Sequence, residues 1–392
     1  MNKALIAILM TIALDSMGIG LIMPILPALI RDAGHLGETS WQFGALLSLY
    51  AAMQFLFAPL LGSLSDRYGR RPVLLASLAG AAADYLFMAF APNLWMLFLG
   101  RAISGITGAN MTVGMAYITD ITPEDQRAKR FGQMGALFGI GFMVGPIIGG
   151  LLGAYWVRAP FLAAAALNGI SLLWTLFFMP ESRKGQILPG YAPKFNLLGP
   201  LKPLMEFRSF WPLIGVMLMF AIIGEVAPTI WVLYGEDKFA WNTTMLGLSI
   251  SCFGLFHAAA QGVIVGPLQK MLGDKGSLLF AMAADASGYL GMAFASKGWM
   301  AFPLMPLFAL GGAANPVLSA MLSAKVDSDN QGKLMGALTS LNSFASIFCP
   351  LAISTLYLAS RHVFPGTVWV LGVAGYVLCV PILLRLKTDK AA

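Results

Sequence analysis

Six ionisable side chains lie inside long apolar runs of this chain. Asp15 sits in LDSMGIG, Asp84 in AADYL, Arg101 in GRAISG, Glu225 in IIGEVAP, His257 in LFHAAAQG and Asp285 in AADASGYL. A charged group in hydrocarbon costs about 2.5–3.5 kcal/mol on insertion scales unless it is paired or hydrated. An acid in a shared cavity can hold either a proton or a cation, and a histidine titrates near neutrality. Competition between proton and cation for one carboxylate is the simplest chemistry of exchange. The alternative for each residue is a polar tie between two helices. For Arg101 the alternative is an arginine that snorkels to the end of its helix.

Such residues need long apolar elements around them. Of the 392 residues, 58% are hydrophobic and 11% charged, against about 45–50% and about 25% in a soluble domain. A helix crosses a bilayer with about 20 apolar residues. Twelve such runs are present, at 4–30, 41–61, 73–91, 95–118, 131–154, 159–179, 211–234, 243–265, 277–296, 299–322, 333–357 and 365–385. The first is too long for a cleavable signal and reads as a span. Cys252, Cys349 and Cys379 fall in apolar runs with no metal or disulfide spacing and read as buried free thiols.

Lysine and arginine set the orientation. Nineteen of the 25 lie at the termini and in alternate connections; five (Arg31, Arg158, Lys238, Lys297 and Arg361) lie on the other side, and Arg101 is inside a span. The positive-inside rule puts the larger set and both termini in the cytoplasm of a multi-pass protein. The net charge of +7 is scattered over short loops. That argues against a nucleic-acid partner and for membrane lipid, and it calls for no obligatory protein partner.

Residues 180–212 (PESRKGQILPGYAPKFNLLGPLKPLMEFRSFWP) are proline-rich, basic and too broken to span. They read as a cytoplasmic linker between an N-terminal six-helix half, 1–179, and a C-terminal half, 213–392. The halves look like repeats. MAFAPNLW (88–95) recurs as MAFASKGW (292–299) at an offset of 204, which also pairs Gly62 with Gly266, Gly69 with Gly273 and Arg71 with Lys275. The expected fold is an all-α membrane protein of twelve transmembrane helices in two six-helix pseudo-repeat halves. Substrates of that architecture bind between halves near the midplane. No HExxH, nucleophile elbow, P-loop or Cys/His cluster is present, so no enzyme is expected.

Three motifs stand out. GSLSDRYGRRP (62–72) joins the second and third spans. Its glycines permit a tight turn, and Asp66 can accept from an arginine or from helix N-terminal amides. The stretch resembles the signature loop of the major facilitator superfamily. The resemblance implies a cytoplasmic charge network of Asp66, Arg70 and Arg71 with Asp120 and Arg127, acting as a latch. GQMGALFGIGFMVGPIIGG (132–150) sets Gly132, Gly141, Gly145, Pro146, Gly149 and Gly150 in the pattern G-x8-G-x3-GP-x2-GG. Small residues permit close helix approach, and a proline bend is tolerated in membranes. The pattern resembles the motif of the superfamily's exporting antiporters. GRAISGITGAN (100–110) resembles its span-4 arginine motif, which is tied to proton transfer.

LDSMGIGLIMPILPALIRD, LLSLYAAMQFLFAPLLGSLSDRYGRRPVLL, TIWVLYGEDKFAWN and VWVLGV are similar to the tetracycline efflux proteins of Gram-negative bacteria. That resemblance covers nearly the whole chain. It implies exchange of a divalent-metal–tetracycline chelate, carried as a monocation, for a proton across the bacterial inner membrane. Proton coupling would then fall to Asp15, Asp84, Arg101 and Asp285. Substrate contacts would fall to Asn110, Asn168, His257, Gln261 and Asn315. No resident cofactor is implied, and Mg2+ would travel with the drug. Asn110, Met111 and Thr112, and Asn315 and Ser319, depart from the family pattern. A multidrug:proton antiporter of the same fold, with other amphipathic or cationic substrates, is the alternative.

Overall fold

A computed structural model describes residues 3–35, 37–108, 110–183, 210–323 and 325–385. Most of the expected linker, residues 184–209, lies outside the described residues. The helices are α1 (Lys3–Ile22), α2 (Leu26–Gly34), α3 (Ser40–Tyr68), α4 (Arg70–Ala89), α5 (Leu94–Thr107), α6 (Asn110–Ile121), α7 (Glu124–Tyr155), α8 (Ala159–Phe178), α9 (Trp211–Gly224), α10 (Val226–Phe239), α11 (Thr243–Ala259), α12 (Val265–Phe294), α13 (Ala301–Gly311), α14 (Ala314–Ser323), α15 (Ser328–Ser360) and α16 (Thr367–Leu384). No strand occurs among the described residues.

Ten stretches are long and apolar enough to cross a membrane. The expected run 95–118 is absent from them because it is divided between α5 and α6, each too short alone. The runs 243–265 and 277–296 are joined in one helical stretch, Thr243–Phe294. That stretch turns at Gly273, whose φ of 65° is left-handed and suits glycine. With these two separations the spans number twelve.

Proline sets matching breaks in two helices. α1 ends at Ile22, a 3-10 turn at Met23–Ile25 carries Pro24, and α2 resumes at Leu26. The pair α9 and α10 breaks at Glu225, three residues before Pro228, which lies 204 beyond Pro24. A proline removes one backbone donor and crowds the preceding turn.

The chain forms two compact units: Met1–Phe195 with Trp241–Gly254, and Asn196–Ala240 with Leu255–Ala392. The first part of α11 therefore groups with the N-terminal helices. Within that first unit, Thr243 and Thr244 hydroxyls donate to the Gly150 carbonyl at 3.2 and 3.4 Å. Large apolar side chains such as Leu151, Phe177, Phe294 and Leu378 remain exposed on helix surfaces, as lipid-facing positions do. Trp95, Tyr155 and Trp299 are exposed near helix ends, where amphipathic rings sit at a membrane interface. The three cysteines are free thiols, with Cys379 buried and the other two half-buried.

Candidate functional site

In the first unit, Asp15 on α1 accepts from Asn110 Nδ2 on α6 at 3.3 Å. Asp84 on α4 accepts from the Ser104 hydroxyl on α5. No ion pair joins Asp84 to Arg101 among the described residues. Arg101 instead lies over the Tyr50 ring of α3, 4.5 Å from its centre. At 9% exposure it is buried rather than snorkelling, and the aromatic face supplies part of the charge's lost solvation. Two glycines make this contact possible. A methyl at Gly105 would lie 2.6 Å from the Tyr50 carbonyl, and one at Gly108 2.9 Å from the Tyr50 hydroxyl. Asn168 on α8 is fully buried beside Gly18 and donates to Ala164 O at 3.0 Å. Asp84 Oδ1, Arg101 Nε, Asn110 Oδ1 and Asn168 Oδ1 are buried with no hydrogen-bond partner among the described residues. Buried polar atoms are normally satisfied, so this interior holds spare capacity for a proton, a water or a ligand.

In the second unit, Asp285 on α12 is 8% exposed. The Tyr376 hydroxyl on α16 donates to its Oδ2 at 2.5 Å. Gly311 packs on its other side, where a methyl would overlap Asp285; a methyl at Gly312 would overlap the His257 ring. These two glycines thus fit between Asp285 and His257. Two residues past the end of α11 lies Gln261, in a π-helical turn at Ala260–Ile264. Such turns shift the side-chain register and recur at functional sites. Asn315 Oδ1, at the start of α14, is buried without a partner among the described residues. Glu225, in the break between α9 and α10, accepts from Ser346 Oγ at 2.5 Å. Neither Asp285 nor Glu225 has an ion pair among the described residues.

The stretch GSLSDRYGRRP ends α3, turns at Gly69 and opens α4. Asp66 Oδ1 pairs with Arg70 Nη2 at 2.8 Å and with Arg183 Nη1 at 2.6 Å. Arg70 Nε pairs with Asp120 Oδ2 at 3.0 Å, and its Nη1 donates to Ser65 Oγ at 2.6 Å. Ser182 also donates to Asp120, at 3.0 Å. Glu181 takes the backbone N–H groups of Arg70 and Arg71 at 2.9 and 3.1 Å, an anion seated on a helix N-terminus. Gly69 has φ of 100°, and a methyl there would lie 2.5 Å from Glu181 Oε2. Only glycine meets both demands.

Two expected members are placed differently. Arg71 donates its guanidinium to the Leu176 carbonyl at 2.5 Å rather than to an acid. Arg127 pairs with Glu124 at 3.3 Å and with the Thr122 carbonyl at 3.4 Å. It lies in the first turn of α7, where the nearest carboxylate is its own neighbour three residues back.

The glycine pattern of α7 is a helix-crossing face. Gly141, Gly145 and Gly149 abut α1 at Ala13, Met17 and Leu21, four residues apart on both helices. A methyl at Gly145 would lie 2.6 Å from the Met17 carbonyl, and one at Gly149 would overlap the Leu21 carbonyl. Pro146 and Gly150 turn to the first part of α11, where a methyl at Gly247 would overlap the Pro146 carbonyl. Gly132 faces open space.

The sequence profile described as the Major Facilitator Superfamily matches residues 8–235 and 213–392. Over 390 residues the chain is 50% identical to the class C tetracycline resistance protein of Escherichia coli, covering 100% of this chain and 98% of the relative. The chain belongs to the Major Facilitator Superfamily, in its tetracycline resistance family. It is also 47% identical to the class G protein of Vibrio anguillarum, covering 98% of each. A crystal structure of the nucleoside transporter NupG superposes with a TM-score of 0.78 at 15% identity, over 99% of this chain and 100% of that one. It shares the fold. This superfamily member is thus a multi-pass membrane transporter.

Several partners in this superfamily member had no sequence signal of their own. Glu181, Ser182 and Arg183 look like the start of a polar linker, yet they complete the charge network. Their proximity to an apolar run's end was the one available hint. Tyr50, Ser104, Ser346 and Tyr376 are ordinary residues of apolar spans until the fold puts each against a charge.

Proposed function

We propose that this transporter exports tetracycline-type drugs from the cytoplasm in exchange for protons, by alternating access. It works in the bacterial inner membrane with both termini cytoplasmic. The observation that carries the reading is Asp285, a buried carboxylate with a hydroxyl partner and no ion pair among the described residues. An acid so placed favours either a proton or a cationic cargo. Full-length similarity to proteins named for tetracycline resistance supports the drug class.

The cargo is the divalent-metal–drug chelate, so Mg2+ belongs to the substrate. Asp15, Asp84, Arg101 and Asp285 couple the proton. Asn110, Asn168, His257, Gln261 and Asn315 contact the cargo, a role supported by the unpartnered amide oxygens of all three asparagines. The network of Asp66, Arg70, Asp120, Glu181 and Arg183 holds the cytoplasmic end of the first unit during the cycle. No bond of the drug is made or broken.

Energised inverted vesicles test this. Tetracycline with Mg2+ is expected to be taken up while the pH gradient collapses, and uptake is expected to fall without Mg2+. No response to tetracycline would overturn the assignment. Gradient collapse with other cationic drugs instead would favour the multidrug reading, to which the departures at Asn315 and Ser319 point.

A further inference from the structure

Among the described residues Asp285 is held by one donor, and that donor is itself packed tightly. Tyr376 is 6% exposed. Its ring meets Phe220 edge-on at 5.6 Å and Tyr289 at 6.3 Å. Tyr289 in turn is fixed by its hydroxyl on the Ile223 carbonyl at 2.8 Å and by its ring against Trp369 at 5.1 Å. A phenol has one proton to donate, and the Tyr376 proton goes to Asp285 Oδ2. Gly311 packs directly against the Asp285 side chain, with no space for even a methyl between them.

The other groups near Asp285 do not share this role. Tyr289 lies one turn on along α12 and spends its proton on Ile223. Cys379, one turn from Tyr376 on α16, is a buried thiol. His257 stands beyond Gly312. The π-turn Ala260–Ile264 and helices α13 and α14, which also pack on α12, carry no charged residue.

We infer that Tyr376 is a positioning residue for proton exchange at Asp285: its hydroxyl aims the carboxylate and favours the ionised over the protonated form. The inference rests on the reading of Asp285 given above. A donated hydrogen bond stabilises a carboxylate more than a neutral acid. Without it Asp285 keeps its proton to higher pH, and release becomes the slow step. Drug binding needs no such step.

The test uses the full-length protein in inverted vesicles, with tetracycline and Mg2+ as the probe. Two rates are followed: net uptake driven by a pH gradient, across pH, and counterflow of labelled drug without a gradient. In Tyr376→Phe the ring packing is retained. Net uptake is expected to fall about tenfold, and its half-maximal pH to rise by about one unit, in line with loss of a bond to a charged group. Counterflow is expected to stay within about twofold. Tyr376→His keeps a ring and an N–H donor, and should fall between. In an Asp285→Asn background Tyr376→Phe should change nothing further.

An unmoved pH profile in both Tyr376 variants would overturn the inference. So would equal loss of net uptake and counterflow with the profile in place, which marks a packing role. If Asp285→Asn itself retains gradient-driven uptake, the reading of Asp285 fails, whatever Tyr376 does.

Discussion

Arg158, after α7, reaches Asp32 of α2 at 2.8 Å and the carbonyls of Ala89, at the end of α4, and Ala91, just past it, at 3.0 Å each. The second unit has a counterpart. Arg361, after α15, reaches Asp237 of α10 at 2.8 Å, and Lys238 donates to the Ala293 carbonyl at 3.1 Å. Ala89 and Ala293 are 204 residues apart, and the acids and arginines fall within one residue of that offset. The turn glycines Gly69 and Gly273 both have positive φ. Arg71 and Lys275 each donate to a carbonyl late in the sixth span of its half, Leu176 in α8 and Leu384 in α16.

The interiors are not duplicated. At the same offset Asp15 faces Met219, Asp84 faces Gly288 and Arg101 faces Met305; Asp285 faces Ala81 and His257 faces Met53. Pro146 has its match in Pro350, but Gly141, Gly145 and Gly149 become Ala345, Cys349 and Ile353. Asp66 and Arg70 become Lys270 and Asp274, with the signs exchanged. The comparison separates two kinds of residue. Those that turn the chain or tie helix ends recur, because both units need the same path. Those that carry charge within the membrane occur once, because each does a particular job.

The largest effect expected of that division is at Asp285. Asp285→Asn should lower gradient-driven tetracycline uptake by at least about 100-fold while leaving the protein in the membrane, because a neutral amide cannot exchange a proton. Initial rates in vesicles, normalised to protein amount, measure it. A rate near wild type would place the coupling in the first unit. Next come reciprocal changes on the crossing face. Gly145→Cys adds a side chain where even a methyl would lie 2.6 Å from the Met17 carbonyl; backbone cannot yield cheaply. Membrane content or transport should fall below about a tenth. Cys349→Gly, at the matching site, should cost only ~0.3 kcal/mol of helix propensity and about halve the activity at most. Equal effects would mean that α7 and α15 pack alike.

This same division explains what the sequence could reveal. Span number follows from apolar length, so twelve runs were countable even where α5 and α6 divide and where α11 and α12 run together. Glycines and prolines mark close approach and breaks, so the α7 face was readable before its neighbour was known. Charge partners were less legible. Asp66, Arg70 and Asp120 share a network because a motif ties their types together. Arg127 looked equivalent, but its position in α7's first turn hands it to Glu124. Glu181 is 111 residues from the amide it accepts. Nothing local in a one-dimensional pattern encodes such a distance.

A smaller effect is expected at Glu181. Glu181→Gln keeps the shape and loses the charge that sits on the α4 amides. Such a charge is worth ~0.3–1 kcal/mol at an exposed helix end, and up to ~2 kcal/mol when partly buried. Turnover should slow about three- to tenfold, with tetracycline affinity within about twofold, as measured by transport kinetics and equilibrium binding. A large loss of affinity with normal turnover would remove the network from the cycle and place it in the binding site.

The smallest effects test the duplicated tie points. Arg158 makes all of its unit's contacts with one guanidinium: Asp32 and two carbonyls. The second unit divides the work between Arg361 and Lys238. Arg158→Ala therefore frees three helix ends at once, whereas Arg361→Ala leaves Lys238 on Ala293. Asp32 is 50% exposed and Asp237 36%, so the ion pairs themselves are worth little, ~0–1 kcal/mol. The carbonyl contacts to these half-buried cations matter more. Apparent melting temperature in detergent should fall by a few degrees in Arg158→Ala and by about half as much in Arg361→Ala. The double variant Lys238→Ala with Arg361→Ala should match Arg158→Ala. If Arg361→Ala alone costs as much as Arg158→Ala, the ion pair rather than the carbonyl contact holds each end, and the two units are more alike than their contacts imply.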